Sequence, residues 1–313
     1  MRLRRFIKVL AIVSALVFAV NGTAVALITP VKLVGGKAAQ FRPFGNGTWY
    51  AWDSNSVARP HHNDVFARMV SGGAIVKVNA PGSVGFAGGF DPGTNTVIYQ
   101  QISGGRSDIY LYNLDTKKRS VPPGVNSSKW EYRPRISATH ILFARERKVR
   151  GLLYTTAYLE DRSTLALVEL GTTKDKAVGY YSGSVGDAYA TYTLAGAKQN
   201  VYVYDIGAGT RHKVPLPARS AQYASAVDET TGTLYFARSR LACGANVRLL
   251  AVPVSSLSAT ATRLAALPKG IDVDFAASLA PDRTTVGGLD YLFTRYVCKS
   301  GGADIYAFPD VNA

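Results

Sequence analysis

Three carboxylates are the side chains of this sequence best suited to acid–base chemistry. Glu131 precedes one apolar segment, and Asp272 and Asp274 open another one much further along the chain. Acid–base cleavage of a sugar chain uses two carboxyl groups that lie within ~5–10 Å of each other. The sequence does not supply that distance, so these three residues define one hypothesis, a glycan-active hydrolase or lyase.

His61 and His62, with Asp64 close behind them, have the side-chain types of a metal site. Adjacent residues of an extended chain point to opposite sides, so two neighbouring histidines do not readily bind the same ion. We therefore interpret this segment as a solvated loop on a binding surface. We expect neither a metal ion nor a cofactor.

Other catalytic motifs are missing from the sequence. Residues 181–186 (YSGSVG) have the wrong spacing for the Gly-x-Ser-x-Gly turn of serine hydrolases. The sequence also contains no His-Glu-x-x-His and no Cys-x-x-Cys, so zincin and zinc-ribbon sites lose support. These absences favour a binding protein without catalysis of its own.

The candidate residues are positioned by a meander that the chain repeats. In the clearest copy, residues 96–101 are β-branched and aromatic, and residues 108–114 alternate between apolar and polar. Turn residues separate these runs from each other and from residues 119–121. Alternation at period two between turn clusters is typical of antiparallel strands. One meander leaves an apolar face exposed, so neighbouring copies must cover it.

Six copies of this meander share one register, and we call their strands a to d from the centre outward. An aromatic residue marks the end of strand b in each copy: Trp52, Tyr99, Phe143, Tyr192, Phe236 and Phe293. Strand c then begins with an acid or amide in five copies: Asp64, Asp108, Asn200, Asn246 and Asp304. Copy three, around residues 151–160, lacks this residue and fits poorly.

The inner strands and the chain ends predict a closed ring. Strand a is rich in Gly, Ala and Ser, which suits a crowded centre, and is expected at residues 39–44, 84–90, 132–137, 178–185, 222–227 and 273–279. The last copy stops before its strand d, while residues 30–34 belong to no complete copy. Pairing these two edges would close the ring and remove an exposed strand edge. A disordered start is the alternative.

The repeats resemble those of the TolB-like β-propeller family. The resemblance rests on residues 90–94 (FDPGT) and 280–284 (APDRT), each followed by an apolar-aromatic strand, and on the recurrent Asp-Ile-Tyr. It covers most of the chain and implies an all-β fold, a six-bladed β-propeller of four-stranded antiparallel blades that usually serves as a binding platform. Copies three and six would then lie across the ring from each other. TolB carries a further α/β domain for which residues 27–43 leave no room, so its envelope partnership is not carried over.

The N-terminus predicts export. Residues 1–8 are basic, residues 9–20 are apolar, and Ala24-x-Ala26 has the small residues of a signal-peptide cleavage site. The apolar run is shorter than the ~20 residues of a membrane span. We predict cleavage after Ala26, an extracytoplasmic location, and one domain over residues 27–313 that is monomeric and has no membrane span. An uncleaved anchor is the alternative.

The charge indicates an anionic partner. The chain has 36 Lys and Arg against 21 Asp and Glu, a net charge of +15. Such a surplus favours anionic partners such as acidic glycans, anionic wall polymers or lipid head groups. Export argues against nucleic acid. We therefore expect a non-catalytic platform for a protein or an anionic envelope polymer.

Loop charges predict which face of the ring binds. In a propeller the b–c and d–a loops share one face, here called the b–c face, and the a–b and c–d loops share the other, the a–b face. The predicted binding residues of the b–c face are Arg59, His61, His62, Arg106, Arg147, Lys148, Arg150, Lys198, Arg240 and Lys299. The a–b turns instead hold Asp91, Asp187, Asp228, Glu229 and Asp282. Asp is a common turn residue, whereas Arg and Lys are not, so the bases indicate a function.

Two further features are interpreted as structural. Strand b ends in Phe-x-Arg in three copies, and we expect Arg145, Arg238 and Arg295 to pair with acids or carbonyl groups. Cys243 and Cys298 follow strand b of adjacent copies, so both fall in b–c loops at the same end of the ring. Export places them where disulfides persist, and an even count of two predicts that they are joined.

Overall fold

The computed structural model describes residues 30–56, 59–173, 180–194, 199–240, 242–281, 288–309 and 311. The predicted leader, residues 1–26, lies outside these ranges. Lys198 and Asp282 also lie outside them, as do the side chains of Arg59 and His61. Within the described residues no helix is long and apolar enough to span a membrane.

Strands make up nearly all of the regular structure. Those of the first half are β1 (Val31–Val34), β2 (Gln40–Gly45), β3 (Trp49–Ser56), β4 (Arg59–Met69), β5 (Val76–Lys77), β6 (Val84–Asp91), β7 (Thr96–Ser103), β8 (Arg106–Asn113), β9 (Arg119–Ser120), β10 (Glu131–Ile136), β11 (His140–Val149), β12 (Leu152–Asp161) and β13 (Leu167–Thr173). Those of the second half are β14 (Tyr180–Val185), β15 (Tyr189–Leu194), β16 (Asn200–Asp205), β17 (Thr210–Lys213), β18 (Ser220–Asp228), β19 (Thr233–Arg240), β20 (Arg248–Pro253), β21 (Thr262–Ala266), β22 (Ile271–Pro281), β23 (Leu289–Val297) and β24 (Ala303–Phe308), with a 3-10 helix at Val254–Ser256.

These strands form six antiparallel four-stranded blades, as predicted. Blades one to five are β2–β5, β6–β9, β10–β13, β14–β17 and β18–β21, and blade six contains β22, β23, β24 and β1. The inner strands β2, β6, β10, β14, β18 and β22 each contact the next one, and β22 contacts β2. The blades therefore form a closed ring, the six-bladed β-propeller expected from the repeats.

The ring closes through the N-terminal strand. β1 pairs antiparallel with β24, with Val31 opposite Ala307 and Lys32 opposite Tyr306. Lys32 Nζ also lies 2.7 Å from Asp304 Oδ2. The first strand of the chain thus supplies strand d of the last blade, which confirms the predicted closure.

Aromatic rings on strands b and c form part of the core. The six marker aromatics are all buried, but they lie in the middle of strand b rather than at its end, which corrects the prediction. In five blades this residue faces a second ring on strand c, in the pairs Trp52–Phe66, Tyr99–Tyr110, Phe143–Tyr158, Tyr192–Tyr202 and Phe293–Tyr306. Their centroids are 5.5–6.2 Å apart. In blade five Phe236 faces Leu250 instead.

Several strand ends differ from the prediction. β8 begins at Arg106 rather than Asp108, β20 at Arg248 rather than Asn246 and β24 at Ala303 rather than Asp304, and Arg240 is the last residue of β19. β4 begins at Arg59 rather than Asp64, so His61 and His62 lie on a strand and the expected solvated loop is wrong. Copy three is a regular blade whose β11–β12 hairpin pairs ten residues of each strand. This hairpin carries Arg147 and Lys148 on β11 rather than in a loop. Cross-strand pairing compensates for the missing acid or amide at the start of β12.

Candidate functional site

A cavity of about 240 Å³ occupies the centre of the ring at the b–c face. It lies among the first halves of the inner strands, which are the ends that follow the d–a loops. Its lining residues include Arg42, Phe86, Tyr132, Arg133, Arg135, Tyr181 and Asp274 from inner strands, with Trp130 and Glu146 beside them. We call this cavity the channel mouth.

Irregular inner strands place two arginines in the channel mouth. The register of β2 shifts between Phe41 and Phe44, and that of β10 between Tyr132 and Arg135. Within these shifts Arg42 has a φ of 49° and Arg133 a φ of 55°. Left-handed backbone at a residue with a side chain is strained by ~1–3 kcal/mol and clusters at ligand sites. The strain is therefore consistent with a binding role.

Arg42 forms a buried ion pair. Its Nε lies 2.8 Å from Asp53 Oδ1 and its Nη2 lies 2.7 Å from Asp53 Oδ2. Burial raises the pKa of Asp53 to about 6, although Arg42 opposes this shift. The guanidinium also lies 4.8 Å from the centre of the Phe86 ring. Asp53 and the ring together hold Arg42 at the channel mouth.

Arg133 and Arg135 are held by carbonyl groups and rings. Arg133 donates to Tyr180 O and lies 3.8 Å from the centre of the Tyr181 ring. Arg135 is buried and donates to the carbonyl oxygens of residues 182 and 183 at 3.1 and 2.6 Å. Burial lowers the pKa of Arg135 to about 9. Arg135 also borders a second cavity, of about 380 Å³, at the a–b face, so its side chain separates the two cavities.

Two carboxylates line the channel mouth. Asp274 Oδ2 is buried and has no hydrogen-bond partner among the described residues. It lies 3.8 Å from Arg42 Nη1. Burial raises the pKa of Glu146, against the effect of Lys148. The channel mouth therefore offers guanidinium donors, carboxylate acceptors and aromatic walls.

Glu131 lies in the wall of blade three rather than in the channel mouth. Its side chain is fully buried. Oε1 accepts hydrogen bonds from Arg145 Nε at 2.7 Å and from Ser127 Oγ at 2.5 Å. Both contacts fix the carboxylate away from any ligand in the channel.

Asp272 fastens two blades together. Its Oδ1 accepts a hydrogen bond from Tyr223 Oη at 2.5 Å, and its Oδ2 accepts one from Gly244 N at 2.9 Å. Beside it, Cys243 and Cys298 form the predicted disulfide, with their Cα atoms 6.0 Å apart. Their sulfur atoms lie near the Asp272 carboxylate, but disulfide sulfur is not the thiolate that binds metals. Of the three predicted carboxylates, the structure brings Asp274 alone to the channel mouth.

The predicted basic residues are distributed around the b–c face. Those with exposed side chains are Arg106, Arg147, Lys148, Arg150, Arg240 and Lys299. Arg106 Nη2 lies 3.4 Å from Asp108 Oδ1 and 2.9 Å from Ser127 O. His62 is half-buried, and its Nε2 lies 3.8 Å from Asp64 Oδ1.

Three of the predicted acids of the a–b face contact a neighbouring blade, whereas Asp228 accepts hydrogen bonds within its own turn. Asp91 Oδ1 of blade two lies 2.7 Å from Arg162 Nη1 of blade three. Glu229 of blade five accepts hydrogen bonds from the backbone N–H groups of residues 187, 188 and 189 in blade four. These contacts join neighbouring blades, whereas Arg147, Arg240 and Lys299 of the b–c face are exposed.

The three Phe-x-Arg arginines have different partners. Arg145 pairs with Glu131, as described. Arg238 Nη2 donates to Pro215 O at 3.4 Å. Arg295 Nη1 donates to Tyr306 Oη at 3.2 Å, and its guanidinium lies over that ring.

Sequence reasoning missed the arginines of the channel mouth. Arg42 and Arg133 each stand in an aromatic-Arg-Pro triplet, Phe41-Arg42-Pro43 and Tyr132-Arg133-Pro134. The two triplets occupy the same position of strand a in blades one and three. This recurrence inside the predicted inner strands is the signal that could have identified them.

No family model matches the chain, and a search of curated protein sequences finds no significant relative. Among solved structures, the chain is similar to an oligogalacturonate lyase in complex with manganese, with a TM-score of 0.55 and 10% identity over 88% of this chain and 83% of that one. A TolB-like protein from Agrobacterium tumefaciens gives a TM-score of 0.54 and 9% identity over 88% of this chain and 92% of that one. TolB from Acinetobacter baumannii gives a TM-score of 0.48 and 15% identity over 88% of this chain, which spans 63% of its length.

These similarities concern the fold. The expected resemblance to TolB-like propellers is confirmed at that level. Identities this low do not carry over residue roles, so the function is argued from the site itself.

Proposed function

We propose that this protein is an exported, non-catalytic binding platform whose b–c face binds an anionic protein or an anionic polymer of the cell envelope. The contrast between the two faces carries the proposal. Asp91, Asp187 and Glu229 of the a–b face contact neighbouring blades, whereas exposed bases lie on the b–c face, where the channel mouth opens. Among the described residues, Arg147, Arg240 and Lys299 have no carboxylate within ion-pair distance.

The exposed bases and the channel mouth would act on the partner at different distances. Like charges around a cleft concentrate the field and attract an oppositely charged partner. The channel mouth then accepts one polar group, to which Arg42 and Arg133 donate and from which Asp274 Oδ2 accepts. Whole small ligands occupy sites of ~300–1,000 Å³, so a cavity of about 240 Å³ suits one side chain or one sugar unit of a larger partner.

Export is supported by two observations. Residues 1–26 have the pattern of a signal peptide. The disulfide between Cys243 and Cys298 is of a kind that persists in oxidising compartments outside the cytoplasm. Both support a partner in the cell envelope or outside the cell.

Retention on immobilised polygalacturonate tests the proposal. The name of the similar lyase suggests this polymer as one anionic probe. Replacing Arg106, Arg147 and Arg240 together by Ser should abolish retention, and salt should weaken binding of the parent because exposed charges are screened over ~10 Å at 0.1 M.

The control variant removes charge from the opposite face. Lys117→Ser with Lys118→Ser changes two exposed bases in the c–d turn of blade two and should leave retention unchanged. A double variant of Arg147 and Arg240 matches this control in charge and should weaken retention. Unchanged retention of the triple variant would show that the bases are ordinary surface.

A glycan-active enzyme is the second candidate. Asp274 and Glu146 both line the channel mouth, whereas Glu131 and Asp272 are engaged elsewhere. Release of unsaturated or reducing ends from oligogalacturonates would test it. Product formed by the parent and lost in both Asp274→Asn and Glu146→Gln would favour catalysis. Binding without product would favour the platform.

A further inference from the structure

Blade five differs from the other blades at one position of strand c. Its marker aromatic, Phe236, faces Leu250, where the other five blades place a second aromatic ring. Next to this position a cavity of about 530 Å³ opens beside blade five. Leu250 and Phe236 both line it. The replacement of a ring by leucine accounts for part of this space.

The floor of this cavity, here called the blade-five groove, is apolar. Phe236, Leu250 and Val252 line it from the sheet of blade five. Leu216, in the loop before β18, and Leu257, in the loop after β20, line its sides. Its volume lies within the ~300–1,000 Å³ of small-molecule sites. The groove therefore suits a small ligand with an apolar body.

Three arginines also line the groove. Arg238 of β19 lies directly opposite Arg248 of β20, and Arg263 of β21 lies opposite Leu250. Like charges directly opposite each other destabilise a sheet. In the described part of the chain, none of the three arginines has a carboxylate within ion-pair distance.

The matching arginines of two other blades show what blade five lacks. Arg145 of blade three pairs with the buried Glu131 at 2.7 Å. Arg295 of blade six lies opposite Asp304 in the ladder. Arg238 occupies the same position of its blade, but the residue opposite it is Arg248 instead of an aspartate.

The Arg238 side chain is poorly satisfied. Its Nη2 donates to Pro215 O at 3.4 Å, and its buried Nε has no hydrogen-bond partner among the described residues. Its guanidinium lies 5.3 Å from the centre of the Phe236 ring. Burial and the neighbouring Arg248 lower the pKa of Arg238. An anion in the groove would give the Nη atoms a stronger acceptor than the carbonyl of Pro215 at 3.4 Å.

We propose that the blade-five groove binds a small amphiphilic anion, with a phosphate or carboxylate head on Arg238, Arg248 and Arg263 and an alkyl body on the apolar floor. Guanidinium groups hold both kinds of head group through paired hydrogen bonds. The bound anion would also relieve the repulsion between the facing arginines. The groove lies on blade five and is separate from the channel mouth, so this inference does not rest on the proposed function.

Calorimetric titration with decyl phosphate and with decanoate, below their micelle-forming concentrations, tests the proposal. We expect saturable 1:1 binding of at least one of them. Inorganic phosphate and decyl maltoside should each bind at least about tenfold more weakly. Inorganic phosphate lacks the alkyl body of the proposed ligand, and decyl maltoside lacks its anionic head. Binding of inorganic phosphate as tight as that of decyl phosphate would overturn the proposal, as would no saturable binding of either amphiphile.

Variants assign the binding to the arginines. Arg248→Gln with Arg263→Gln should weaken binding by about tenfold or more, since hydrogen bonds to charged groups are among the strongest. Both side chains are exposed, so the fold should persist, which thermal melting checks. Lys117→Gln with Lys118→Gln removes the same charge elsewhere and should leave affinity unchanged. Equal affinities of the two double variants would refute the assignment.

A membrane surface is the other source of such head groups. Co-sedimentation with vesicles containing phosphatidic acid distinguishes binding of a free amphiphile from binding of a membrane surface. We expect the Arg248 and Arg263 double variant to lose affinity for free decyl phosphate. A variant that still binds free decyl phosphate normally, but no longer sediments with the vesicles, would overturn the groove assignment.

Discussion

Substitution of Glu131 should destabilise the protein, because its carboxylate is half of a buried ion pair. The side chain is fully buried, and Arg145 is 17% exposed. Removing one partner of a buried pair costs ~3–5 kcal/mol. In Glu131→Gln the amide oxygen can still accept from Arg145 and from Ser127, and Arg145 keeps Val125 O at 2.7 Å. The expected loss is therefore near the lower limit, about 3 kcal/mol.

Urea and thermal unfolding of the parent and the variant measure this loss. Domains of 150–250 residues lose ~2–4 °C in Tm per kcal/mol, so a loss of about 3 kcal/mol should lower the Tm of Glu131→Gln by about 6–12 °C. Asp274→Asn is the matched control, because Asp274 Oδ2 has no hydrogen bond to lose among the described residues, and Arg42, 3.8 Å away, keeps both of its hydrogen bonds to Asp53. It should change stability by less than about 1 kcal/mol.

The opposite pattern would refute this reasoning. Catalytic residues are often kept at some cost in stability, so replacing them is frequently neutral or stabilising. Suppose that Glu131→Gln were as stable as the parent and also abolished turnover of an acidic glycan. The structural role of Glu131 in the wall of blade three would then be refuted. Glu131 would then be a catalytic group, as the enzyme hypothesis requires.

Two further predictions concern stability. Replacing Cys243 and Cys298 by Ser should cost about 4 kcal/mol on the chain-entropy model for the 55-residue separation, and thiol titration of the denatured, unreduced parent should find no free thiol. Burial raises the pKa of Glu160 to about 7, against the effect of Arg145. The folded state therefore keeps this proton longer than the unfolded chain does, so this contribution to stability is complete below about pH 4.5 and is lost as the pH rises to about 7. Glu160→Gln should remove that pH dependence and stabilise the protein more at pH 8 than at pH 5. Equal effects at the two pH values in urea unfolding would contradict the assignment.

Much of the fold could be predicted because each blade is a local structure. Strands a to d are consecutive in the chain and pair with their neighbours, so period-two alternation and turn residues locate them without long-range information. The exceptions follow the same logic. Copy three lacks the loop-ending acid or amide at the start of strand c, yet ten cross-strand pairs hold β11 and β12 together. The β4 strand extends back to Arg59, which lies opposite Ser56 across a register shift that follows the Asn55–Asn63 pair.

The candidate site was less accessible from the sequence. Asp274 was identified, but Arg42 and Arg133 were not, because their directions depend on register shifts within inner strands. A shift of register reverses the face to which a side chain points, and the alternation pattern does not record it. Glu131 and Asp272 were grouped with Asp274 because all three lie near the start of a strand a. Folding brings Arg145 to Glu131 and Tyr223 to Asp272, and the sequence does not show these contacts.

The sequence by itself determined the number of blades, the closure of the ring by residues 30–34, and the pairing of the two cysteines. Each follows from periodicity, from an unpaired strand edge or from two residues at equivalent loop positions. The tertiary structure alone decided which charges are free. Whether a carboxylate or guanidinium faces a ligand or a partner depends on neighbours from other strands and blades. Glu131 and Arg145 neutralise each other within one blade, whereas Arg238 faces another arginine. The composition of the chain does not distinguish these two arrangements.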